Sequence, residues 1–73
     1  MEQAQLNKLF RKHKITARKS GGDDYASWCV FLNGRPIYSG LARREVSYYK
    51  EQVLCIALGV RKISEIVVWV RKL

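Results

Sequence analysis

Asn33-Gly34 stands between two runs of β-forming residues, Tyr25 to Leu32 and Arg35 to Ser39. The dipeptide is a favoured loop for a type I′ hairpin, because both of its positions accept positive φ. A two-residue loop fixes the register: Leu32 faces Arg35 as a hydrogen-bonded pair, and Phe31 faces Pro36 as a non-hydrogen-bonded pair. The one proline of the chain therefore gives up no bond to its hairpin partner. Its missing N–H lies on the outer side, which predicts a sheet edge for Arg35 to Ser39 and places any further strands beyond Tyr25 to Leu32.

The period of the apolar residues supplies the other elements. Leu6, Leu9, Phe10 and His13 recur at three- and four-residue spacing, which predicts a helix from Glu2 to about His13. Ile15 to Arg18 alternate like a short strand, ended by the turn cluster Ser20-Gly21-Gly22-Asp23-Asp24. After Gly40 the helical period returns through Ala42, Val46, Tyr49, Val53, Ile56 and Ala57, with Gly59 as the stop, predicting a second helix from Ala42 to Leu58. Ser64 to Arg71, centred on Ile66-Val67-Val68-Trp69-Val70, reads as a central or covered strand. The expectation is a single α+β domain over residues 1–73 in the order α-β-β-β-α-β. Its four-stranded, mainly antiparallel sheet carries both helices on one face.

That arrangement leaves a question about the other face. The hairpin register puts Trp28, Val30, Leu32 and Ile37 on one side, and Cys29, Phe31 and Tyr38 on the other with Tyr25. Both sides are apolar, and Trp69 adds a further aromatic in the last strand. An uncovered aromatic face suits stacking of unpaired bases on Phe31, Tyr38 or Trp69. It equally suits burial against a second protein chain. A third arrangement, with the helices on opposite sides, makes both faces core.

Charge narrows the choice of partner. The 73 residues hold 14 Lys and Arg against 6 Asp and Glu, a formal net charge of +8. Between Lys8 and Lys19 lie Lys8, Arg11, Lys12, Lys14, Arg18 and Lys19 with His13 and no carboxylate. So one-sided a charge repels itself in a small domain. Phosphate is the natural counterpart, since release of condensed counterions gives affinity without base contacts. Arg43 and Arg44 open the second helix, where free N–H groups add to their charge, and Arg35 stands beside the hairpin tip. The expected partner is DNA or RNA.

The inventory argues against other classes. His13 has no neighbouring carboxylate to orient it as a base, Asp23-Asp24 reads as a turn, and no glycine-rich phosphate loop is present. Cys29 and Cys55 with one histidine fall short of a four-ligand zinc site, and both cysteines lie in apolar segments as reduced thiols. No enzyme, metal or cofactor is expected. No stretch approaches the roughly 20 apolar residues of a membrane span, and the N-terminus lacks a signal-peptide core, so the expectation is a cytoplasmic protein without a membrane partner.

The helix-sheet-helix order is similar to that of double-stranded RNA-binding domains, and Gly40-Leu41-Ala42-Arg43-Arg44-Glu45-Val46 resembles the basic start of their second helix. Those domains end with that helix, and Val46-Ser47 stands where a further lysine follows in them. The resemblance implies a duplex facing helix one, the hairpin tip and the start of helix two. The alternative is a small modulator or inhibitor of a protein or nucleic-acid enzyme, of the type found in phages and mobile elements, acting through the aromatic face. A homodimer that buries the same face is compatible with either.

Overall fold

A computed structural model describes residues 3–20 and 27–66. Helix α1 (Gln3–Lys12) leads into β1 (Ile15–Ser20), β2 (Ser27–Leu32) and β3 (Arg35–Leu41). A 3-10 turn, Arg43–Glu45, then opens α2 (Val46–Leu58), and a second 3-10 turn spans Ile63–Ile66.

Helix α1 buries Leu6, Leu9 and Phe10, the stripe that the spacing predicts, and ends by a backbone device. Lys14 takes φ 56, a left-handed conformation that costs a non-glycine residue roughly 1–2 kcal/mol. Its N–H donates to the Arg11 carbonyl at 3.2 Å, and its own carbonyl accepts the Asn33 N–H at 2.9 Å. This bond ties the end of α1 to the hairpin tip.

The three strands are antiparallel in the order β1-β2-β3. Asn33 (φ 53) and Gly34 (φ 83) form the expected turn, and Leu32 pairs with Arg35 and Phe31 with Pro36 as expected. β3 is an edge, and β1 pairs on the far side of β2.

Beyond Pro36 the expected faces are corrected. Val30 pairs with Tyr38, so Ile37 is an extra residue on β3, and a second irregularity follows before Trp28 pairs with Leu41. Each bulge reverses the parity of the strand. Tyr38 therefore leaves Phe31's side and joins the core side, its ring centroid 4.7 Å from that of Tyr49. Ile37 is 40% exposed.

Leu6, Leu9, Phe10, Ile15, Val30, Leu41, Val53, Leu54 and Ile66 form one core. Both helices contribute to it, and both lie on the side of the sheet marked by Ile15 and Val30. On the opposite side Thr16 and Arg18 are exposed and Cys29 and Phe31 half-buried. Helix α2 buries Val46, Val53, Leu54 and Cys55, whereas Ile56, expected on the apolar stripe, is solvent-facing. The helix ends as predicted at Gly59 (φ 70). The Val60 N–H donates to the Cys55 carbonyl at 3.0 Å and the Gly59 N–H to the Ile56 carbonyl at 3.3 Å, a Schellman cap.

The expected fourth strand is a second correction, because the sheet has three strands. Where that strand was to begin, Ile63–Ile66 closes as a 3-10 turn, with the Glu65 N–H donating to the Lys62 carbonyl at 3.0 Å. The apolar character of Ile66 serves burial in the core; a short apolar run signals burial without specifying a strand. The remainder of the expected strand, Val67 to Arg71 with Trp69, lies outside the described residues.

Candidate nucleic-acid interface

The cations singled out by the sequence are distributed unevenly. On α1, burial of Leu6, Leu9 and Phe10 turns Lys8, Arg11 and Lys12 to solvent. Arg11 and Lys12 also occupy the last turn of the helix, where they complement its dipole by about 0.3–1 kcal/mol each. Lys14 and Arg35 are exposed on either side of the hairpin tip, joined by the Lys14 to Asn33 backbone bond.

The other group comes from the start and first turns of α2. The guanidinium carbon of Arg43 lies 5.0 Å from the ring centroid of Trp28, and the Lys50 ammonium lies 4.5 Å from that of Phe10. Each ring face attracts the cation above it. Lys50 is half-buried, and its pKa is held below the ordinary 10.5 by desolvation first and by the charge of Arg43 second. Arg44 is exposed beside Arg43, and Lys19 pairs across the sheet with Trp28.

Two backbone bonds of Lys14, its carbonyl accepting from the Asn33 N–H and its N–H donating to the Arg11 carbonyl, tie the hairpin tip to the last turn of α1. Lys50 of α2 lies over Phe10, the residue before Arg11. Alternation along β1 places Arg18, opposite Cys29, on the sheet face away from the two helices, where Phe31 lies between Thr16 and Pro36. Tyr38 is on the other side of the sheet, so it does not join Phe31 there.

The carboxylates of the described residues are Glu45, Glu51 and Glu65. The Glu45 Oε1 accepts the Ala42 N–H at 2.9 Å, while the Glu45 N–H donates to the Ala42 carbonyl at 2.9 Å. Alanine has no hydroxyl, so this is one half of a capping box. It places an internal carboxylate at the helix start, where the sequence suggested free N–H groups for a phosphate. The Glu65 Oε2 accepts the Arg61 N–H at 2.8 Å. Burial, followed by the charges of Glu51 and Glu65, pushes the Cys55 thiol above its usual 9.0.

Sequence reasoning missed Lys50, Trp28 and Phe10 as parts of this surface. A signal was available for Lys50, seven residues beyond Arg43 and so two helical turns along the same side. Cys29 and Cys55 are free thiols. Among the described residues, no three His, Cys, Asp or Glu gather to hold a metal ion, and no helix is long and apolar enough to cross a membrane. No protein-family model, curated protein or solved structure matches this chain.

Proposed function

We propose that the chain is a non-enzymatic nucleic-acid-binding protein that takes the phosphate backbone of DNA or RNA on basic side chains of α1, the hairpin tip and the start of α2. The observation that carries this reading is the exposure of those cations: Lys8, Arg11, Lys12, Lys14, Arg35, Arg43 and Arg44 all face solvent, and the Lys14 backbone bonds tie the end of α1 to the hairpin tip. Exposed Lys and Arg in excess over carboxylates are the condition for binding by counterion release. The element order α1-β1-β2-β3-α2, with both helices on one side, is the layout that the resemblance implies and favours a duplex over a single strand.

The test is oligonucleotide binding at several salt concentrations, with duplex and single-stranded DNA and RNA. If about five phosphates are neutralised, the logarithm of affinity falls against that of salt with a slope of roughly −4 to −5. A flat response, or no binding at low salt, overturns the reading.

Exposed Ile37 and half-buried Phe31 on β3 and β2 favour a second reading, a protein-binding modulator. It predicts that Phe31→Ala abolishes function in a folded protein whose exposed Lys and Arg are dispensable.

A further inference from the structure

We propose that Tyr48 is a stacking platform for an unpaired nucleobase, placed where Arg44 can take the phosphate of the same nucleotide. This site rests on nucleic-acid binding by the exposed cations and adds a base contact that phosphate binding alone does not need.

Tyr48 is 57% exposed. Among the described residues it is the one aromatic side chain in the open, since Phe10 is buried and Trp28, Phe31, Tyr38 and Tyr49 are half-buried. Helix α2 buries Val46, Val53 and Leu54 on its inner side. Tyr49 packs against that core, and Tyr48 lies outside it. Every base has a π-face, so a ring left open in this way accepts a base with little regard to sequence.

The ring is also braced from below. Tyr48 meets Tyr49 edge to face, with centroids 5.1 Å apart and planes at 87°. Tyr49 in turn lies 4.7 Å from Tyr38 on β3, so the chain of contacts runs from the platform down to the sheet. An edge-to-face neighbour covers at most one face of Tyr48, which leaves the other for a flat ligand. A braced ring has less rotamer freedom to lose on binding.

Charge specifies what the flat ligand carries. The 3-10 turn Arg43–Glu45 runs directly into α2, so Arg44 precedes Tyr48 by four residues, the spacing at which helical side chains are neighbours. A helical side chain leans toward the N-terminus, and Tyr48 therefore covers the turn that Arg44 opens. Arg44 is exposed. Of the acids near Tyr48, Glu45 has its carboxylate on the Ala42 N–H, and Glu51 stands on the C-terminal side. An anion is drawn to the Arg44 side of the ring and repelled from the other. A nucleotide unites the flat base and the anion in one ligand.

The experiment titrates the full chain into two duplexes that are identical except that one ends in an unpaired 2-aminopurine. Anisotropy of a dye at the far end gives affinity, and 2-aminopurine fluorescence reports stacking. The expected result is tighter binding of the overhang duplex, with quenching. Tyr48→Leu abolishes the quenching and weakens overhang binding roughly five- to a hundredfold, while Tyr48→Phe retains both. On the blunt duplex Tyr48→Leu changes affinity less than about twofold and leaves the salt slope intact, which also shows that the variant is folded. Arg44→Gln weakens overhang binding about tenfold and blunt binding less. Equal affinity for the two duplexes, or quenching that survives in Tyr48→Leu, overturns the platform. A change of molecular mass by light scattering in Tyr48→Leu, with quenching unaltered, assigns the ring to a second copy and overturns it as well. Binding of both duplexes without quenching removes the platform and leaves the nucleic-acid reading; no binding of either at low salt removes both.

Discussion

Lys50 and Cys55 lie on one helix, five residues apart, in surroundings of opposite sign. Beside Lys50 stands Arg43, which disfavours a positive charge; near Cys55 stand Glu51 and Glu65, which disfavour a negative one. In both cases burial is the larger cause and a like charge the smaller. The two sites differ in their relation to solvent. Cys55 is buried in the core and can remain a neutral thiol, so its acidic neighbours bear on an uncharged group. Lys50 is half-buried with its ammonium over a ring, so the group disfavoured there is a charged one. The comparison separates a like-signed environment around a neutral group from one around a cation.

Both environments hang on the same core, and the largest effect comes from disturbing it. Leu54, fully buried in that core, should cost about 2–5 kcal/mol as Leu54→Ala. In urea, Trp28 fluorescence and protection of the Cys55 thiol should be lost in one transition; separate transitions would break the premise of a shared core. The next test acts on one side only. Arg43→Glu with Lys50→Glu should make the salt slope of oligonucleotide binding shallower by about two, whereas Glu51→Gln should leave it unchanged. Equal effects would erase the distinction between the sides.

Lys14→Gly sharpens the comparison because stability and binding move in opposite directions. Relief of the left-handed conformation at Lys14 (φ 56) should stabilise the fold by about 1 kcal/mol in urea titrations. Loss of that cation should still reduce the salt slope by about one.

The smallest effect is in pH dependence. Cys55 has a raised value in the fold, so its contribution is present below the ordinary 9.0 and is lost as pH rises through the folded value. Lys50 has a lowered value, so the penalty on its charge is relieved as pH rises from the folded value toward 10.5. Measured by urea midpoints, the stability of the native sequence relative to Cys55→Ala should fall above pH 9.0. Relative to Lys50→Gln it should rise on the approach to pH 10.5.

Legibility in the sequence followed the range of the interaction. The turn at Asn33-Gly34, the pairs Leu32 with Arg35 and Phe31 with Pro36, and the Gly59 stop are decided within a few residues, and local chemistry revealed them. The bulges in β3 are not local in that sense. They bring Tyr38 to Tyr49 and Leu41 to Trp28, contacts with partners distant in sequence. Gly40, at φ 70 inside β3, was the one written sign, since glycine within a strand often marks a bulge. Ile66 misled because burial and strand formation leave the same apolar trace. For the candidate site, the cations were countable but their grouping was not. The ring beneath Arg43 comes from β2 and the ring beneath Lys50 from α1, and only the tertiary fold joins them.

The margins of the sheet have a further consequence. Along one lies Pro36, followed by two bulges and Gly40 in its left-handed conformation; along the other, Arg18 and Lys19 follow one another on opposite faces of β1, both exposed. A kinked margin offers no straight row of amides to a neighbouring strand, and a doubly charged one repels its own copy. Among the described residues, neither margin thus invites a second copy to extend the sheet into a fibril.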